Sequence, residues 1–132
     1  MTKILETERL NLREMDDMDD EFILDLLNQP SFIENIGDRM VRDRRGAREY
    51  IASRFVKSYR ETGFGLYLVE LKSGIPMGIC GLVKRETLPD PDIGFAFLPD
   101  YCGVGYALES AKEVMKFSLE TLNLSRVVAI TT

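Results

Sequence analysis

Apolar and polar residues alternate between Ile4 and Arg13, and over Leu10-Asn11-Leu12-Arg13 the period of two is strict. This predicts a strand with one buried face. An acidic run over 16–20 then leads into Phe22, Ile23, Leu26 and Leu27, which have helical spacing. Asp19 or Asp20 is placed to cap that helix, and acids suit its positive end. Asn28-Gln29-Pro30 stops it, because a proline disfavours helix at the preceding residue. Residues 31–43 show no period. Ala47, Ile51, Phe55 and Tyr59 then recur every four residues, predicting a helix over 44–62 that Gly63 ends. Apolar runs over 64–72 and 76–85, joined by Ser73-Gly74, read as a hairpin. A loop with Pro89 and Pro91 precedes a strand over 92–98. The longest helical pattern covers 105–122, and 126–131 is a final strand with little polar alternation, as when both faces are covered. The order is β-α-α-β-β-β-α-β. It fits an α/β (α+β) fold, a mixed, mostly antiparallel sheet flanked by helices.

With 132 residues and no repeat, low-complexity linker or shift of composition, the whole of 1–132 reads as one domain. Seventeen Lys and Arg face 22 Asp and Glu, a formal net charge of −5, which argues against a nucleic-acid backbone binder. No apolar run reaches the roughly 20 residues that a membrane span needs, and the acidic, alternating N-terminus does not resemble a signal peptide. The count that changes most is that of histidine, which is zero. Ser–His and Cys–His catalytic pairs and His-ligated zinc are thereby excluded, and no metal is expected. The two cysteines, Cys80 and Cys102, are too few for a disulfide scaffold. They point to reduced thiols and a cytoplasmic location. Any general base must be a carboxylate, tyrosine, thiolate, lysine or relayed water.

The segment with chemical content is 92–111, in which a strand runs into a turn with two glycines that opens a long helix. That geometry leaves backbone N–H groups at the helix start aimed at one point, with the helix dipole adding positive potential. Gly103 and Gly105 allow positive φ and a close approach of the backbone to a phosphate. The segment is not a Walker loop, since Gly-Lys-Ser/Thr is absent. Nor is it a clean dinucleotide fingerprint, since position 108 is Leu.

At these residues the chain resembles the GNAT superfamily of acetyl-CoA-dependent N-acetyltransferases, and within it the ribosomal-protein N-terminal acetyltransferase (RimJ/RimL-like) branch. Glu6-Thr-Glu-Arg-Leu-Asn-Leu-Arg13 is similar to that branch's opening strand. Asp92-Ile-Gly-Phe95 is similar to its Glu-Ile-Gly-Tyr. Pro99-Asp-Tyr-Cys-Gly-Val-Gly-Tyr-Ala-Leu-Glu-Ser-Ala111 is similar to its pyrophosphate loop, with Cys102 standing where a bulky aromatic, Arg or Gln is common. The resemblance implies that the backbone of Phe95, Ala96, Phe97 and Leu98 pairs with the pantetheine arm of acetyl-CoA. It implies that the N–H groups of Cys102, Gly103, Val104, Gly105, Tyr106 and Ala107 hold the pyrophosphate. It makes Asp92 the candidate base, acting through water, and Phe32, Ile33 and Ile36 weaker candidates for the acceptor pocket. Each position also has a plainer reading: Asp92 as an exposed acid at a strand start, Phe32, Ile33 and Ile36 as core, Cys80 as core, Glu109 as a helix-surface or capping acid. The basic stretch Arg39, Arg42, Arg44, Arg45 and Arg48 reads as a solvated helix start rather than as a binding surface.

The implied activity is acetyl transfer from acetyl-CoA to a primary amine, on a protein N-terminus or a small molecule. The alternatives are an acyl-CoA-binding module without turnover and an unrelated α/β interaction domain. The family usually continues past the fifth strand with a helix and two more strands. Against that pattern the sequence reads as C-terminally incomplete, or as completed by a second chain in a homodimer.

Overall fold

The computed structural model describes residues 3–83, 91–120 and 128–129. Its sheet has six strands in chain order: β1 (Lys3–Glu6), β2 (Leu10–Arg13), β3 (Leu66–Leu71), β4 (Pro76–Val83), β5 (Asp92–Phe97) and β6 (Val128–Ala129). Neighbours from β1 to β5 are antiparallel, and β6 joins β5 in parallel. The alternation over 4–13 is two strands rather than one. Thr7 donates its N–H to the Leu10 carbonyl at 2.9 Å, and its hydroxyl accepts the Leu10 N–H at 3.0 Å. This closes a turn that folds the pattern back on itself.

The helices differ from expectation in two places. Asp16, not Asp19 or Asp20, supplies the cap. Its carboxylate accepts the Met18 N–H at 2.9 Å, and a 3₁₀ turn over Asp17–Asp19 leads into α1 (Asp20–Leu27). Asp19 is drawn away by Arg13, whose guanidinium grips it with contacts of 2.8 and 3.0 Å. The segment after α1 is not irregular throughout. Pro30 both stops α1 and begins α2 (Pro30–Asn35), because its fixed φ suits the first position of a helix and forces only Gln29 to be extended.

The helix over 44–62 runs as α3 (Arg44–Tyr50), a π-helical segment (Ile51–Val56) and α4 (Lys57–Thr62), ended by Gly63 at φ 82°. The four-residue repeat accounts for the π turn. On a regular helix of about 3.6 residues per turn such a repeat drifts round the axis. Widening one turn keeps Ala47, Ile51 and Phe55 on the buried side.

Helices cover both faces. On one, α5 (Tyr106–Glu120) lies over Leu10, Leu12, Tyr67, Cys80, Leu82, Ile93 and Phe97 through Val114. On the other, α1, α3 and the π segment pack Ile23, Leu26, Ala47, Ile51 and Phe55 against Leu68 and Ile79. Each fully buried leucine here contributes roughly 1.5–3 kcal/mol. β5 lies between β4 and the short β6, and its C-terminal end delivers the chain to the start of α5. The loop expected at Pro89 lies outside the described residues, as do parts of the expected final helix and strand. Within the described residues, α5 reaches Glu120 and β6 covers Val128–Ala129.

Candidate functional site

β5 pairs along its length with β4, but β6 meets it only at Asp92↔Val128 and Ile93↔Ala129 among the described residues. Leu98 donates its N–H to the Met77 carbonyl at 2.9 Å, which points residue 98 towards β4. Strand alternation then turns the polar backbone groups of Phe95 and Phe97 to the opposite edge. The sequence-predicted stretch 95–98 is thus not uniform. Leu98 directs its N–H inward, and its carbonyl accepts the Tyr101 N–H at 2.9 Å. The edge that a ligand could pair with is carried by Phe95 and Phe97, with Ala96 between them.

A 3₁₀ turn, Pro99–Tyr101, bends the chain, and Cys102 donates its N–H back to the Pro99 carbonyl at 3.2 Å. The Cys102 backbone donor is therefore used within the turn. Its exposed thiol faces the Leu98 carbonyl at 3.6 Å. Gly103 and Gly105 follow at φ 80° and 86°, with exposed Val104 between them. Left-handed backbone at both positions explains the glycines. A Cβ on Gly103 would meet nothing within 4 Å, and one on Gly105 would meet only Arg9 Nη2 at 3.5 Å. The loop is thus an open hollow, not a packed turn.

α5 begins at Tyr106, and its first backbone bond runs from the Glu109 N–H to the Gly105 carbonyl at 3.0 Å. The N–H groups of Tyr106, Ala107 and Leu108 lack an acceptor inside the helix for that reason. Fifteen residues of aligned peptide dipoles stand behind them. An anion in the hollow would meet several convergent N–H donors, and no side chain of Gly103 or Gly105 stands in the way.

The wall behind this hollow is a contact that the sequence reading did not foresee. Glu109 reaches the turn between β1 and β2. Its carboxylate accepts the Thr7 hydroxyl, the Arg9 N–H at 3.2 Å and the Arg9 Nε at 2.7 Å, and Arg9 Nη2 lies 2.6 Å away. Partial burial works against the charge on Glu109. The hydrogen bonds from Thr7 and Arg9 outweigh it and hold the pKa below the ordinary glutamate value. The Arg9 guanidinium lies 4.5 Å from the centroid of the Tyr106 ring, so Tyr106 packs beside the loop. Glu109 is thus a tertiary anchor, beyond the surface or capping role its position suggested. The signal was present, since Thr7 and Arg9 belong to the opening motif, but nothing in that motif names their partner.

Asp92 occupies the other end of β5. It is 2% exposed, set between Val83 of β4 and Val128 of β6, so it is not the exposed acid of the plainer reading. Six residue steps of strand separate it from Leu98, roughly 20 Å at about 3.3 Å per residue. Cys80 is fully buried, and burial pushes its thiol up to about 12. This is a packing residue, not a nucleophile. Burial likewise raises Tyr67 to about 12, and Tyr59 is raised further by the same cause.

Three arginines of the basic stretch, Arg42, Arg44 and Arg48, are held by side chains of this chain. Asp20, 2% exposed, accepts Arg48 at 2.7 Å and Arg44 at 3.2 Å. Its pKa is lowered, chiefly by the Arg44 hydrogen bond. Arg42 binds Asp38 at 2.6 Å and Asn28 at 2.8 Å. Phe32 is in the core beside α1, Ile33 is half-buried, and Ile36 is exposed at the end of α2. Among the described residues no three His, Cys, Asp or Glu side chains are grouped to hold a metal, and no helix is long and apolar enough to cross a membrane.

This geometry has relatives. Residues 9–132 match the acetyltransferase (GNAT) domain family. The chain is 30% identical over 135 residues to the Bacillus subtilis (strain 168) protein YkkB, a match covering 98% of this chain and 75% of YkkB. It superposes on an acetyltransferase from Agrobacterium tumefaciens C58 with a TM-score of 0.78 at 25% identity, covering 96% of this chain and 74% of that one. It also superposes on RimL, a ribosomal L7/L12 α-N-protein acetyltransferase in complex with coenzyme A, with a TM-score of 0.80. The identity there is 15%, and the match covers 97% of this chain and 73% of RimL. The strand edge, the hollow and the helix start described above are therefore those of a member of the GNAT acetyltransferase family, to which this chain belongs.

Proposed function

We propose that this chain is an acetyl-CoA-dependent N-acetyltransferase of the RimJ/RimL-like branch, acting in the cytoplasm on a primary amine of a protein N-terminus or a small molecule. The observation that carries the reading is the run from the β5 edge through two left-handed glycines to the start of α5. The residues fit the cofactor. The space beside Gly103 is open, and the N–H groups of Gly103 to Ala107 supply the donors that a diphosphate would need. The edge carried by Phe95 and Phe97 offers amide partners for an extended pantetheine arm, which adds to β5 as a further strand. The arm would lie along the edge at Phe95 and Phe97, between the loop and the two residues of β5, Asp92 and Ile93, that β6 already pairs with.

The bound thioester supplies an activated acetyl group. The amine nitrogen bonds to its carbonyl carbon, the carbon–sulfur bond breaks, and the nitrogen loses a proton as the thiolate gains one. The chain's part is to hold the two reactants in line and to accept the amine proton. An α-amine, with a pKa of about 8, needs less help than a lysine at about 10.4. Asp92 is the proposed base, through a water at the β5–β6 junction. Ile33 and Ile36, with Phe32 behind them, are proposed to border the acceptor.

Isothermal titration with acetyl-CoA, followed by chromatographic detection of released CoA over a panel of amines and N-terminal peptides, tests this. Chromatography is preferred because a thiol reagent would also react with exposed Cys102. Binding with amine-dependent CoA release is expected. Binding without release with any amine leaves a cofactor-binding module, and no binding at millimolar acetyl-CoA removes both readings. Asp92→Asn is expected to lower kcat. A lowered melting temperature with kcat unchanged would instead assign the buried carboxylate to holding β4, β5 and β6 together.

A further inference from the structure

Two successive carbonyls of the glycine loop are held from behind. Arg9 Nη1 donates to the Val104 carbonyl at 3.4 Å, and the Glu109 N–H donates to the Gly105 carbonyl at 3.0 Å. The peptides of the described residues are trans. In a planar trans peptide the C=O of one residue and the N–H of the next point in opposite directions. Turning the Val104 carbonyl towards the hairpin therefore turns the Gly105 N–H away from it. Turning the Gly105 carbonyl down the axis of α5 turns the Tyr106 N–H out of the helix end. Both donors point away from these ties, the Gly105 N–H from the hairpin and the Tyr106 N–H from the body of the helix.

Arg9 can do this because it is itself fixed. Its Nε and Nη2 meet one oxygen of Glu109, at 2.7 and 2.6 Å, while the other oxygen takes the Arg9 N–H and the Thr7 hydroxyl. The same Thr7 hydroxyl accepts the Leu10 N–H, so the anchor extends into the first hairpin of the sheet. The planar guanidinium also rests on Tyr106. The Val104 carbonyl is thus referenced to the turn between β1 and β2, 95 residues away in sequence, and not only to α5. Electrostatics adds to this. Glu109 is a negative charge in the first turn of the helix that would receive a diphosphate, and Arg9 neutralises it.

We propose that Arg9, clamped by Glu109 and Thr7, is a positioning residue for the phosphate-binding loop. It orients the Val104–Gly105 peptide towards the diphosphate and cancels the Glu109 charge beside it. This rests on the acetyl-CoA reading above, and the experiment separates the two. Dissociation constants for CoA, and for pantetheine, which lacks the phosphates, are measured by titration calorimetry for the wild type, Arg9→Met and Arg9→Lys. The Gly105 amide is followed by ¹H–¹⁵N NMR in the absence of ligand.

Arg9→Met, which keeps a chain over Tyr106 but no donor or charge, is expected to weaken CoA by about tenfold or more, as loss of a charge-assisted contact would. It leaves pantetheine unchanged and moves the Gly105 amide resonance. Arg9→Lys, which restores the charge but not the fork, recovers part of the affinity. CoA binding unchanged in Arg9→Met, or CoA and pantetheine weakened alike, overturns the proposal while leaving the acetyl-CoA reading in place. Failure of the wild type to bind CoA overturns both. Should Arg9→Met not fold, Arg9→Lys is read alone: a smaller loss confined to CoA supports the proposal, and none overturns it.

Discussion

The molecule has two pairs of glycines that look alike in sequence and serve opposite needs. Gly78 and Gly81 lie in β4, where the backbone is extended. A Cβ on Gly81 would sit 2.0 Å from the Gly65 carbonyl oxygen and 2.8 Å from Leu66 Cα. One on Gly78 would sit 2.5 Å from the Ala96 carbonyl oxygen and 2.7 Å from the Phe97 ring. These strand glycines have no room for a side chain. Gly103 has room, with nothing inside 4 Å, but a φ of 80° that other residues resist. The strand pair answers to space and so to stability. The loop pair answers to conformation and so to the direction of its N–H groups. A glycine in the sequence states neither reason, and only the neighbouring atoms separate them.

The contrast is broken most directly at Gly81. Gly81→Ala forces a methyl group into the backbone of β3, which cannot turn aside as a flexible side chain would. Overpacking usually costs about 1–3 kcal/mol and sometimes more, and this substitution belongs at or above the upper end. The Leu82 N–H bond to the Gly65 carbonyl, 3.0 Å long, would be strained with it. Urea unfolding should show the loss as a fall in midpoint. The protein that remains folded should bind CoA as before, because the loop lies at the other end of the neighbouring strand. A Gly81→Ala protein as stable as the wild type would refute the distinction.

Gly103→Ala sharpens the same comparison from the other side. Its methyl group has space, so the cost is that of a left-handed residue, about 1–2 kcal/mol. The strained loop can relieve itself by rotating the 103 peptide, and rotation swings an N–H out of the hollow. The expected result is a small drop in unfolding midpoint with a disproportionate loss of CoA affinity. If affinity follows stability in the same ratio for Gly81→Ala and Gly103→Ala, the two pairs are not different in kind.

How far this division could be read from the chain depends on which physical signal each element carries. Strands β2 to β5 and the first turns of α5 were legible because period and turn chemistry are local. The glycine loop was legible as a possible anion site because a strand, two glycines and a helix start are contiguous. The first hairpin was half seen. Alternation over 4–13 looks the same whether the strand continues or doubles back, and the turn depends on one hydroxyl, that of Thr7. The π segment was present in the four-residue repeat of Ala47, Ile51 and Phe55, but a repeat does not say where the helix will widen. α2 is hidden in the sequence because Pro30 reads as a stop, when it is also a start. Asp92 was matched by motif, yet its burial depends on strands on either side of it. The Arg9–Glu109 pair was out of reach for the same reason: 100 residues separate partners that sequence pattern cannot join.

That pair gives the smallest effect, one read by pH. The Glu109 pKa is lowered in the folded protein, so the folded state binds a proton less readily than the unfolded chain. Its contribution to stability is therefore complete above the ordinary glutamate pKa of about 4.3 and is lost as pH falls through the lower folded value. Glu109→Gln keeps the shape and an oxygen for the Thr7 hydroxyl, but cannot offer Arg9 a charge. The difference in melting temperature between wild type and Glu109→Gln should be positive at pH 7 and should shrink below pH about 4. Asp20 titrates in the same direction and is shared by both proteins, so it drops out of the difference. A difference that persists unchanged into acid would mean that Glu109 acts through packing alone. The loop would then be referenced to the hairpin by shape, with the charge of Arg9 left to face the ligand.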